Sequence, residues 1–223
     1  MCKKQLFVVT TMILFLFTSC FEFVEEISFN KDGSGSATFT LNLSKNKTKL
    51  ASIMLLDSVN GYKVPSKSAI RKKVAEVVQK IKKTKGVHNV NSTLDLDEFI
   101  LAISCNFDNV EAINNVLVAF SSKKQAQAIK KQQHFTYNKK SKTFVRSHHF
   151  DIGREFQKTK MKDRKVFETA TYTGVYHFDD LVQSSTNKQS KISKSKKAVM
   201  LRVKAQDIIT NKYTIKNKIQ LQN

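Results

Sequence analysis

Histidines, cysteines and paired carboxylates are the side chains here whose chemistry could be put to work, and their spacing decides how much. The five histidines are His88, His134, His148, His149 and His177, and none falls in an HxxxH or HExxH pair that would turn two ring nitrogens toward one zinc ion. His148 and His149 are adjacent on a predicted strand, where successive side chains point to opposite faces, so they do not chelate together. His134 faces the His148 neighbourhood across a hairpin, with Asp151 as a third ligand, yet Lys139, Lys140, Lys142 and Arg146 surround that group with charge that opposes a cation. Paired or solvated imidazoles and no metal are therefore expected. The carboxylate pairs Glu25/Glu26, Asp97/Glu98 and Asp179/Asp180 are sequence neighbours, which a strand splits between its faces, so no general acid/base pair is implied. The Gly33-Ser34-Gly35 run lacks the third glycine and the following helix of a dinucleotide site, and Asn30/Asp32 lacks the downstream glutamate of a calcium loop. GxSxG, P-loop and CxxC patterns are absent. The sequence thus predicts no enzyme and no dissociable cofactor, with a hydrolase assembled from distant residues as the lesser alternative.

The cysteines divide by position. Residues 1–19 have a basic start at Lys3 and Lys4, an apolar run over 6–17 and the small pair Thr18-Ser19, the layout of a secretory signal. The run is shorter than the roughly 20 apolar residues that span a bilayer. Cys20 follows at once, and Phe17-Thr18-Ser19-Cys20 resembles a bacterial lipobox, with Phe17 where leucine is usual. In such a motif the cysteine sulfur takes a diacylglycerol and, after cleavage, the new amino terminus takes a further acyl chain. Cys20 is accordingly the predicted lipidation site, with its covalent chains as membrane anchor. Cys105 lies in the apolar run 99–105 with no basic residue between 87 and 115, which predicts a buried small hydrophobe rather than a reactive thiol.

Charge narrows the partners. The chain has 223 residues, 39 basic and 18 acidic, for a formal net charge of +21. Only five of the basic residues are Arg, and they do not cluster with aromatic platforms, which argues against nucleic acid as a partner. Residues 63–86 hold nine basic residues against Glu76, residues 121–165 hold fourteen against three acids, and residues 87–115 hold five acids and no base. A segregated basic face attracts polyanions, and for a tethered envelope domain those are anionic lipids or lipopolysaccharide, each lysine contributing about 1 kcal/mol at a charged membrane surface. Arg71, Lys72, Lys73, Lys80 and Lys83 are the candidate anionic-surface residues, on a helix whose apolar stripe is expected to cover a sheet.

These residues need elements to position them. Residues 21–30 and 37–43 alternate around the turn 31–35 and predict a hairpin. Leu50, Ile53, Met54, Leu56 and Val59 fall at helical spacing, and Ile70, Val74, Val77, Val78 and Ile81 make a cleaner stripe between Pro65-Ser66 and Gly86. A second hairpin is predicted over 87–96 and 99–107, and Asp108 with Glu111 forms a capping-box signature for a helix carrying Val110, Ile113, Leu117 and Phe120. A third hairpin is expected over 134–138 and 143–150. Strands follow over 166–178, 190–192, 198–203 and within 213–221, with 184–197 as an exposed loop and hairpin tip. The order ββααββα, then mostly strands, predicts an α+β fold with a largely antiparallel sheet and three main helices, in one domain over 20–223. One Pro and six Gly leave little linker material for a second domain.

Taken together, the lipobox cysteine, the glutamates Glu22, Glu25 and Glu26 on a short strand, the turn Phe29-Asn30-Lys31-Asp32-Gly33-Ser34-Gly35, and Tyr172-Thr173-Gly174-Val175-Tyr176-His177-Phe178 before a lysine-rich hairpin resemble LppM-type bacterial lipoproteins. The resemblance implies an α+β domain held at an envelope membrane, with lipid or glycolipid binding proposed for part of the family. The expectation is a non-enzymatic envelope lipoprotein, most readily at the outer membrane, that binds a lipid, a glycolipid or another anionic or hydrophobic component. The alternative is a scaffold that docks another envelope protein.

Overall fold

Phe23, Ile27 and Phe29 fall on one side of an extended chain, and this segment forms strand β1 (Glu22–Phe29) of the computed structural model, which describes residues 21–121, 123–148, 152–164 and 167–222. The chain reverses through a turn in which the Asp32 carboxylate accepts hydrogen bonds from the Ser34 N–H (2.9 Å) and hydroxyl (2.6 Å). Gly35 opens β2 (Gly35–Asn42) and must be glycine, because a Cβ there would lie 1.9 Å from the Ser28 carbonyl oxygen. The strand β2 pairs with β6 (Ile100–Phe107), and β6 with β5 (Val87–Asp95). On its other side β1 pairs in parallel with β9 (Thr171–Phe178), followed by β12 (Ala198–Lys204) and β11 (Ser190–Ile192), giving a seven-stranded sheet in the order β11-β12-β9-β1-β2-β6-β5. The remaining pairs in that sheet are antiparallel.

A second sheet has the order β10-β13-β8-β7, from β7 (Phe135–Asn138), β8 (Thr143–Arg146), β10 (Val182–Ser185) and β13 (Asn217–Leu221). A small hairpin joins β3 (Ser58–Val59) to β4 (Tyr62–Lys63). The helices are α1 (Lys47–Ile53), α2 (Lys67–Lys82), α3 (Val110–Phe120), α4 (Lys123–Lys130), α5 (Ile152–Lys158), α6 (Met161–Arg164) and α7 (Ala205–Ile209). The fold is α+β with largely antiparallel sheets, as the sequence pattern predicts.

The core lies between the large sheet and a layer made of α2, α3 and the small sheet. Ile27, Phe39, Ile103 and Phe107 face Val78 and Ile81 of α2 and Ile113 and Val116 of α3, all buried. Phe144 of the small sheet packs against Phe29 and Tyr176, with ring centroids 4.9 Å apart in each case. Cys105 is buried among these side chains, and burial pushes its thiol up to about 11, so it is the inert small hydrophobe expected.

Several boundaries differ from expectation, each for a local reason. The helix predicted across 50–59 ends at Ile53, because residues 58–63 turn back as the β3/β4 hairpin. The N-cap of α3 is Asn109, whose side chain accepts from the Ala112 N–H at 3.0 Å; Asp108 instead donates its N–H to the Gly86 carbonyl. Strand β9 starts at Thr171 rather than 166, and β13 at Asn217. The segment 184–197 opens with the end of β10, which the sequence pattern does not predict, whereas the strand expected over 190–192 forms as β11; α4 to α7 carry too short a stripe to be seen in the sequence.

Candidate functional site

Helix α1 is poorly covered: its stripe residues Leu50 and Ile53 are only half-buried and the helix has no buried residue. Between α1, the start of α2 and the β5–β6 turn lies a cleft of about 840 Å³. Ala51, Met54, Leu55, Leu96 and Phe99 give it apolar walls. Leu96 is buried at its floor, whereas Leu55 at its lip is 87% exposed. Lys47 and Lys67 stand at the rim, each held by a carboxylate of the β5–β6 turn: Lys47 Nζ to Glu98 at 2.8 Å and Lys67 Nζ to Asp97 at 3.2 Å.

The turn that supplies Leu96 and Phe99 is built from two devices. The Asp95 carboxylate accepts from the N–H groups of Asp97 and Glu98, both at 2.8 Å, and these bonds hold its pKa below the ordinary carboxylate range. Phe99 then adopts φ of 55°, a left-handed conformation that a bulky residue takes at a cost of about 1–3 kcal/mol. Its carbonyl accepts from the Leu43 N–H at 3.0 Å, which ties the strained residue to the end of β2. The strain places an aromatic ring in the cleft wall.

What the cleft offers chemically is apolar contact and two ammonium groups. The Ser52 hydroxyl donates to the Thr48 carbonyl, and the Ser66 hydroxyl accepts from the Ala69 N–H as the N-cap of α2. The hydrogen bond that Lys47 donates to the Glu98 carboxylate pushes the Lys47 pKa up, so its charge is firm. Exposed ion pairs such as Lys47–Glu98 contribute about 1 kcal/mol or less, so an incoming anion can take the carboxylate's place.

No protein-family model matches this sequence, and no curated protein matches it. Among solved structures the chain is similar to the folded domain of LppM from Mycobacterium tuberculosis, determined by NMR. That likeness has 11% identity over 91% of this chain and 89% of the other, with a TM-score of 0.43. A score of that size assigns neither family nor activity.

The candidate residues of the sequence fall elsewhere than the cleft. Cys20 lies outside the described residues, as do His149 and Asp151 of the histidine group. Among the described residues no group of three or more metal-ligating side chains occurs, and His148 Nδ1 sits 3.2 Å from the Thr214 hydroxyl. Arg71, Lys72, Lys73, Lys80 and Lys83 are all exposed along the outer face of α2, while Val78 and Ile81 are buried against the core, as expected. Lys73 pairs with Glu76 at 3.2 Å. None of the five lines the cleft, whose rim cations Lys47 and Lys67 the sequence did not single out. No sequence pattern marked them, since of the stripe Leu50, Ile53 and Met54 only Met54 lines the cleft.

One polar group does converge from separate strands, and it is sealed in the core. Glu25 of β1 accepts from Arg146 Nε and Nη2 of β8, both at 3.0 Å, and from the hydroxyls of Tyr172 (2.8 Å) and Tyr176 (2.7 Å) of β9. Glu25 is 1% exposed and Arg146 7%. Burial and the adjacent carboxylate push both phenols up, and although burial alone would lower the Arg146 pKa, Glu25 and the tyrosines raise it. Gly174, opposite Glu25 in the register, leaves room for both hydroxyls: a Cβ there would lie 2.9 and 3.0 Å from them. The group ties the two sheets together.

Proposed function

We propose that the chain is a lipid-anchored envelope lipoprotein whose domain holds the acyl part of an anionic amphiphile in the cleft beneath α1, without catalysing a reaction on it. The observation that carries this reading is the cleft: an apolar space within the 300–1,000 Å³ typical of small-molecule sites, with two lysines at its mouth. The walls suit hydrocarbon and the rim suits a phosphate or carboxylate headgroup. Acyl chains on Cys20 would hold the domain beside a supply of such molecules, since two or three chains anchor stably where one is marginal. No helix among the described residues is long and apolar enough to cross a membrane, and the anchor is assigned to Cys20.

A fluorescent fatty-acid analogue titrated into the full chain tests the cleft. Saturable binding near one equivalent is expected, with affinity at least tenfold weaker in Ala51→Trp, which fills the cleft from an exposed helix position. Equal binding by variant and wild type would overturn the reading. The scaffold alternative draws on the exposed Leu55, Leu56 and Tyr62 as a protein-docking patch and would leave the analogue unbound.

A further inference from the structure

The large sheet has a polarity. Glu22 at the start of β1 pairs with Asn42 at the end of β2, and Asn42 with Ile100 at the start of β6. With neighbouring strands about 4.8 Å apart, the chain therefore enters β1 roughly 10 Å from the β5–β6 turn that walls the cleft. Phe21, the residue that follows the proposed anchor Cys20, is therefore at this end of the sheet.

The same end carries the most exposed apolar side chains. Leu55 is 87% exposed, Leu56 53% and Tyr62 49%, all between the cleft-lining segments of α1 and α2. Lys160 Nζ lies 5.2 Å from the centre of the Tyr62 ring, which brings in Met161, the next residue, 81% exposed. Residues 44–67 and 152–164, which bear these groups, contain ten basic residues against three acidic ones. Lysine stems cover apolar surface while their ammonium groups reach outward, the arrangement that suits a headgroup layer.

We infer that this end of the domain enters the interface of an anionic membrane, Leu55, Leu56, Tyr62 and Met161 reaching the acyl boundary and the surrounding lysines meeting the headgroups. The cleft then opens at the bilayer surface, and its ligand is a membrane lipid loaded from below. The inference deepens the cleft reading and rests on it for that last step alone. It also fixes the attitude of α2, which runs from the cleft at Ser66 and Lys67 toward the opposite end of the sheet, where the Gly86 carbonyl meets Asp108. Lys80 and Lys83 accordingly stand away from the membrane.

The sequence has no Trp, so a single introduced one reports without background. Leu56→Trp, Met161→Trp and Lys80→Trp are made singly in the full chain and mixed with phosphatidylglycerol vesicles carrying brominated acyl chains. Neither Leu56 nor Met161 lines the cleft, so their quenching reports insertion and not occupancy. The expected result is co-sedimentation, a blue shift and at least twofold quenching for Leu56→Trp and Met161→Trp, and unchanged emission for Lys80→Trp. Quenching confined to Lys80→Trp, equal quenching of all three, unquenched emission at the first two positions on bound vesicles, or no co-sedimentation overturns the inference. A chain that inserts both residues yet binds no fatty-acid analogue keeps the insertion and removes the cleft reading; the reverse pattern removes insertion alone.

Discussion

Glu25 is a carboxylate that touches no solvent, and what it touches explains why it is tolerated. A guanidinium fork and two phenols occupy its oxygens, so removing the charge strands Arg146 in the core. Breaking a buried pair from one side costs about 3–5 kcal/mol, and Glu25→Gln is expected to lose that much in urea unfolding at pH 7. Gly174→Ala, which pushes the two hydroxyls off the carboxylate, is expected to lose about 1–3 kcal/mol. Wild-type stability in both variants would contradict the role given to this group. Little of it was legible beforehand. Glu25 read as one of an adjacent pair divided between two faces, which is correct, but its partners Arg146, Tyr172 and Tyr176 lie more than a hundred residues away. No local pattern links them.

At the scale of elements, α2 shows what a sequence reveals and α1 what it hides. The stripe Ile70, Val74, Val77, Val78, Ile81 is bracketed by the Ser66 cap and Gly86, and it faces the core where its period places it, with Val78 and Ile81 buried and Val74 and Val77 half-buried against it. The stripe of α1 has the same period but is only half-buried, and the cleft opens on the Lys47, Thr48, Ala51, Ser52 and Leu55 side of the helix, which no apolar period marks. The β5–β6 turn closes that cleft, so it should govern binding more than stability. Phe99→Gly relieves the left-handed backbone and removes the ring, and the expected result is unchanged or slightly raised stability with at least tenfold weaker binding of the fatty-acid analogue. The turn is also sensitive to acid. Because the folded pKa of Asp95 is depressed, the stability it lends is full above its unfolded pKa of about 3.9 and is lost as pH falls through the lower folded value. Binding by the wild type should weaken in that window, while Asp95→Asn, whose amide oxygen remains an acceptor, should show a flatter profile. A steep loss in the variant as well would assign the acid effect to another group.

For the whole molecule, the order of elements through α3, apart from the β3/β4 hairpin, and the α+β class follow from alternation, helical stripes and turn residues, and the charge segregation follows from counting. The joining of the β5-β6-β2-β1 and β9-β12-β11 halves of the large sheet through a parallel β1/β9 pair does not, because it brings together residues about 150 positions apart. Nor does the gathering of exposed apolar residues at the end where the chain enters β1, since Leu55 and Met161 belong to segments a hundred residues apart. Both belong to tertiary assembly, and the cleft with them. The most direct test of that cleft is mass spectrometry of organic-solvent extracts from the full chain purified out of its native membrane, beside Ala51→Trp treated identically. Wild type is expected to carry close to one equivalent of an acylated anionic amphiphile, separable without cleaving any covalent bond, and Ala51→Trp to carry a tenth of that or less. A wild-type protein that is empty, or a variant that carries as much, would contradict the assignment of the cleft as a lipid site.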